Sequence, residues 1–146
     1  MIEEIARRSG ELFKSSSLYC AESVVLAIAE GKGLRSDLIP KMATGFCSGL
    51  SRTCGMCGAV NGAIMAISLF HGRNSGKDSV DPVYTRARKL LEHFAKEFGS
   101  TNCRELTGCD LGTKEGLAYF KENDLRKKCI HYTEAAARMA LTLIEE

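Results

Sequence analysis

Apolar residues along the chain recur at intervals of three and four, and no stretch alternates strictly between apolar and polar. Ile2, Ile5, Ala6, Leu12 and Phe13 share one face of a first helix, with Gly10 a mild weak point inside it. A second helix is expected to start near Ser17 to Tyr19 and to carry Val24, Ala27 and Ile28 until "EGKG" stops it. A short helix follows, with Asp37 as its N-cap and its end near Ala43. The next stretch, "TGFCSGLSRTCG", is polar, glycine-rich and irregular. Cys57 opens the central helix, which ends at the loop "HGRNSGKDS". Asp81 as N-cap and Pro82 at the first helical position start another, with Val83, Ala87, Leu90, Leu91, Phe94 and Phe98 at helical spacing before Gly99. "NCRELTGCDLGT" reads as one turn plus loop, "KEGLAYFKEND" as a short helix and "CIHYTEAAARMALTLIEE" as the last one. The pattern predicts an all-α fold, a compact single-domain bundle of about five to six helices with a glycine- and cysteine-rich loop before the central one.

At 146 residues the chain is long enough to bury a core of its own as one domain. Its net charge of +2, with both signs interleaved, is too weak a bias for a nucleic-acid or anionic-membrane partner. The longest apolar run, Ala59 to Phe70, is interrupted by Asn61 and Ser68 and is shorter than the roughly 17–25 residues that span a bilayer. "MIEEIARRSGELFKSSS" carries charge where a secretory signal needs an unbroken apolar stretch, so a cytoplasmic location is expected.

The cysteines change the picture. There are seven, an odd number, and in a reducing compartment they suit metal or redox chemistry better than structural disulfides. Cys20, Cys57, Cys103 and Cys129 each fall in or just before the first turn of an expected helix. Free N–H groups and the partial positive charge there favour thiolate. Cys20 shares a face with Val24 and Ala27, Cys57 with Val60, Asn61 and Ile64, and Cys129 with Thr133, Ala136 and Ala140. Cys103 aligns with Leu106, so all of these thiols should point inward and converge. The competing view is that each is a small buried hydrophobe.

Cys47, Cys54 and Cys109 fall in expected loops. Cys54 and Cys57 form Cys-Gly-Met-Cys, a spacing shared by zinc knuckles and thioredoxin-like redox motifs. The strand–helix context of a thioredoxin-like fold is missing, and so is a second zinc knuckle. Ligands this far apart in sequence suit a site assembled in a bundle core.

Cys20 in "YCAESVVLAIAEG", then "CGAVNGAIMAISL", then "NCRELTG", then Cys129 before the last helix make a pattern that spans Leu18 to Ile144. It resembles the redox-active family named for its C-GCAxxG-C-C cysteines. The resemblance implies an all-helical domain with a cysteine-based redox centre, an iron–sulfur cluster being one form of it. It carries the functional positions over to Cys20, Cys57, Cys103 and Cys129. One departure stands out: the family name puts Ala directly after the central Cys, whereas Gly58 intervenes here.

Three functions are therefore open. The first is an electron-transfer protein with a 2Fe–2S or similar iron–sulfur cluster on Cys20, Cys57, Cys103 and Cys129, serving a redox partner protein. It would be an oxidoreductase or an electron carrier without a substrate of its own. The second is a thiol–disulfide oxidoreductase in which Cys54 and Cys57 are catalytic. The third is a zinc-stabilised protein-interaction module. Gly58, Gly62 and Ala66 form a smooth helical strip that admits a second backbone, and a homodimer paired through it is expected. His131 reads as a surface residue, with Ala135 off the apolar face; His71 and His93 sit in no metal-binding spacing. "LRKKC" offers cations beside Cys129.

Overall fold

A computed structural model describes residues 1–146. Its helices are α1 (Ile2–Ser15), α2 (Cys20–Gly31), a 3₁₀ helix (Lys41–Phe46), α3 (Cys47–Arg52), α4 (Gly58–His71), α5 (Asp81–Phe98), α6 (Cys103–Thr107), α7 (Lys114–Glu122) and α8 (Arg126–Glu145). The all-α expectation holds, with more helices than foreseen. The irregular 44–55 stretch is ordered into short turns, and the 103–107 turn is a helix of its own.

The core is the meeting of α1, α2, α4 and α8, flanked by α5 against α4 and α8. Its largest fully buried side chains include Ile28, Ile67, Leu90, Phe94 and Leu141, most of them on the apolar faces that the spacing predicts. α8 presents Ala136, Ala137 and Ala140 inward, and these small side chains let α1 and α4 approach its axis. Ala135 is also buried, so the apolar face of α8 is wider than the sequence reading had it. His131 is nevertheless exposed, its ring edge-on to Phe98.

The small-residue strip works inside the chain. A Cβ added at Gly62 would lie 2.6 Å from the Ala21 carbonyl oxygen and 2.9 Å from Ala21 Cα. The backbone that the strip admits is thus that of α2, which leaves the strip unavailable for pairing two copies.

Three local expectations are corrected. Asp37 is not a helix N-cap: Ser36 Oγ accepts from the Leu38 N–H, and Pro40 caps the 3₁₀ helix from Lys41. Asp81 is the first residue of α5 rather than its cap, which is Val80. The last helix starts at Arg126, so Cys129 lies one turn inside it, its N–H already bonded to the Leu125 carbonyl at 3.2 Å.

The most unusual backbone lies in α3. Ser48, Gly49, Leu50 and Ser51 all have φ between 54° and 60°, and Arg52 follows at 69°. This is a left-handed helical turn, which costs roughly 1–2 kcal/mol for each residue with a Cβ. Local bonds hold it: Gly55 N–H to the Gly49 carbonyl at 3.0 Å, Ser51 Oγ–H to the Gly45 carbonyl at 2.8 Å, and Thr53 Oγ–H to the Leu50 carbonyl at 2.9 Å.

Candidate functional site

Cys20, Cys57, Cys103 and Cys129 line a single cavity of about 660 Å³. Each arrives on a different element. Cys20 opens α2, Cys57 is the N-cap of α4, Cys103 opens α6, and Cys129 projects from the second turn of α8. Cys20 and Cys57 are buried, while Cys103 and Cys129 are half-buried.

A backbone clasp sets Cys57 opposite Cys103. The Cys57 N–H donates to the Thr101 carbonyl at 2.8 Å, and the Cys103 N–H donates to the Gly55 carbonyl at 2.9 Å, around a Met56–Asn102 bridge. Asn102 adds to it. Its Nδ2 donates to the Cys54 carbonyl at 2.7 Å, and its Oδ1 caps α6 by accepting from the Glu105 N–H at 3.2 Å. Two segments nearly fifty residues apart in sequence are thereby held in register, and the chain has no other β-pairing.

Glycine makes room on the other side. A Cβ at Gly49 would stand 2.5 Å from Cys103 Cβ, and one at Gly58 would stand 2.8 Å from Cys20 Sγ. Both Cys57 and Gly58 border the cavity. The departure from the family name at Gly58 thus falls at the cavity wall, where a side chain would crowd Cys20.

Burial governs the thiols. It is the largest influence on all of these cysteines and pushes each above its ordinary value, Cys103 from 9.0 up to about 12, with the neighbouring Cys20 adding to the effect. Cys57 and Cys129 are raised by burial and then by the adjacent thiols. At Cys20, hydrogen bonds from the backbone of Ser48, Cys20, Ala21 and Ala59 pull the other way without overcoming burial. The expectation that helix starts leave these groups as thiolates is thus corrected: without a bound cation, desolvation outweighs the N–H donors. The Ser48 contribution depends on the left-handed turn, which brings that N–H to Cys20.

The remaining cysteines differ among themselves. Cys47 is buried in a second small core with Ala21, Val25, Ala29, Ile39 and Ala43. Its Sγ lies 3.7 Å from Glu22 Oε1, whose carboxylate also accepts from Thr44 Oγ at 2.8 Å and from the Tyr19 N–H at 3.0 Å. Burial, opposed by the Glu22 backbone, pushes Cys47 from 9.0 to about 12. Cys109 is buried with Sγ 3.6 Å from Thr107 Oγ. Cys54 is half-exposed at φ 62° and outside the cavity lining, and its hydrogen bond to Asp110 raises it. The Cys54–Cys57 pair thus lacks the depressed thiol on which disulfide exchange relies.

Sequence reading found one of the cavity's cations, Arg126, and missed two. Arg52, Lys121 and Arg126 border the cavity, and no carboxylate does. Only Arg126 lies in the basic run before Cys129. It donates to the Phe13 and Lys14 carbonyls at 2.8 and 3.0 Å and caps the end of α1. Lys127 instead pairs with Asp124 at 3.2 Å. No local pattern could have found Arg52 or Lys121, because the turn and α7 bring them in from elsewhere in the chain.

No helix is long and apolar enough to cross a membrane. The sequence pattern of the family described as "Putative redox-active protein (C_GCAxxG_C_C)" matches residues 18–143. An uncharacterized protein of Archaeoglobus fulgidus is 29% identical over 154 aligned positions, covering 99% of this chain and 95% of that protein. No solved structure matches.

Proposed function

This chain belongs to the C_GCAxxG_C_C family, and on that premise we propose that Cys20, Cys57, Cys103 and Cys129 hold an iron–sulfur cluster, 2Fe–2S or similar, in a small cytoplasmic electron-transfer protein. The observation that carries the reading is the convergence of these thiols, from four separate elements, on one largely apolar cavity.

The donor set suits such a group. Thiolates are the usual ligands of iron–sulfur clusters, and a bound cluster supplies a site that takes up and releases an electron. No three of the chain's His, Cys, Asp or Glu side chains stand close enough to share one ion.

The protein's own part is positional and electrostatic. Leu106, Phe13 and Tyr132 limit water around the sulfurs. The backbone of Ser48, Ala21 and Ala59 favours the charged form of Cys20, and that of Ala59 and Val60 favours the charged form of Cys57. Such donors favour added negative charge and raise a potential. Tyr132 stays fixed at the wall, its hydroxyl donating to the Leu106 carbonyl at 3.1 Å. The electron's source and destination lie with a redox partner protein.

Serine substitution tests the assignment. Cys103→Ser is expected to remove most of the iron and sulfide from protein purified without oxygen, whereas Cys54→Ser leaves both unchanged. Equal loss in the two variants, or loss only with Cys54→Ser, would move the centre to the Cys54–Cys57 pair.

A further inference from the structure

The cavity is larger than its cysteines need. At about 660 Å³ it falls in the range of roughly 300–1,000 Å³ typical of sites for small organic molecules. The thiols form one side of it. The far side is built by Leu111 in the loop before α7 and by Leu117, Ala118 and Phe120 of α7 itself.

α7 shares no extensive packing face with any other helix, yet it turns Leu117 and Phe120 towards this space. Thr113 caps its start, the hydroxyl accepting from the Gly116 N–H at 2.9 Å, so the helix is formed locally and laid across the cavity. An apolar body inside would give that face something to pack on.

Charge specifies the rest. Arg52, Lys121 and Arg126 stand at the lining without a carboxylate among the lining residues. None of them belongs to an ion pair elsewhere. Arg126 spends only Nη2 on the end of α1. Its ring contact with Phe13, at 5.6 Å from the centroid, turns the guanidinium along the wall. Three cations of unlike origin, from the left-handed turn, α7 and α8, thus border one largely apolar space in a chain whose net charge is only +2.

We infer that this cavity binds a small organic anion, its apolar body between α7 and the thiol wall and its acidic group on Arg52, Lys121 and Arg126. The inference rests on the proposed redox centre for its setting, because the ligand would lie against the sulfurs. A carboxylate, sulfonate or phosphate head meets the same need, so the shared chemistry is an apolar-bodied anion.

Equilibrium dialysis of the purified protein with 8-anilinonaphthalene-1-sulfonate tests it, with the uncharged N-phenyl-1-naphthylamine as comparison. Arg52 and Lys121 are exposed, so an Arg52→Gln/Lys121→Gln protein should fold, and a cooperative thermal melt checks that it does. One sulfonate per chain is expected. Its affinity should fall about tenfold in the double variant and by a similar factor in Leu117→Glu, which adds a negative charge to the lining. The uncharged compound should bind the double variant as it binds the parent. Sulfonate binding that is absent, or equal in parent and double variant, overturns the inference. Iron and sulfide assayed on the same samples separate the two proposals. Sulfonate binding to iron-free protein supports the anion site and counts against the cluster. Iron-loaded protein that ignores the sulfonate overturns the anion site alone.

Discussion

Each thiol at the cavity is a compromise between a hydrogen-bonding helix start and a desolvating core. Burial wins, and that has a consequence for pH. Cys103 and Cys47 rise from the ordinary 9.0 to about 12 on folding, both chiefly through burial. A group whose folded value is raised stabilises the fold fully below its unfolded value and loses that contribution as pH climbs towards the folded one. The metal-free protein should therefore lose melting temperature as pH rises from about 9 towards about 12. A Cys47→Ser/Cys103→Ser protein should lose less over the same range. Thermal melts followed by circular dichroism check this; equal slopes for both proteins would mean that these thiols are not what titrates. The residue scale was also where the sequence was most readable. Cys20 and Cys103 open helices whose capping side chains, Glu22 and Asn102, are near neighbours in sequence, whereas Cys57 is held by the backbone clasp to Thr101. Cys129 was placed a turn too early, because Arg126 to Lys128 carry no apolar periodicity to announce a helix.

At the scale of elements, the left-handed turn and the small-residue strip do different jobs, and two glycines separate them. Gly62 sits where α2 touches α4, so Gly62→Ala should cost about 1–3 kcal/mol of stability through overpacking. The folded fraction should keep its iron. Gly49 sits at φ 60° against Cys103, so Gly49→Ala adds backbone strain of about 1–2 kcal/mol and a Cβ 2.5 Å from Cys103 Cβ. That variant should lose iron per folded chain as well as melting temperature. If Gly49→Ala kept full iron while Gly62→Ala lost it, the turn would have no part in placing Cys103. The strip was legible because spacing of four is a helical signal. The turn was not, since "CSGLSR" holds only one glycine among five consecutive residues of positive φ. What stabilises that turn is a set of contacts to Gly45, Gly55 and the thiol wall that exists only in the folded chain.

On the scale of the whole molecule, the bundle helices α2, α4 and α8 carry three of the four cavity thiols near their starts, and the short elements α3, α6 and α7 complete the cavity around them. Periodicity shows the long helices because each buries one face, as α5 does with Leu90 and Phe94. The clasp between 55–57 and 101–103 leaves no such trace, because two backbone bonds need no particular side chains. Of the cations around the cavity, Arg52 and Lys121 are equally silent in sequence, while Arg126 lies in the basic run before Cys129. The fold thus brings cysteines far apart in the chain to one cavity, and burial there favours their protonated form. Iron and acid-labile sulfide per chain, measured with the visible spectrum on protein purified without oxygen, test that account most directly. It predicts iron and sulfide in matching amounts, with a brown colour that bleaches on reduction. Protein that stays colourless and takes up neither after reconstitution with iron and sulfide would contradict it.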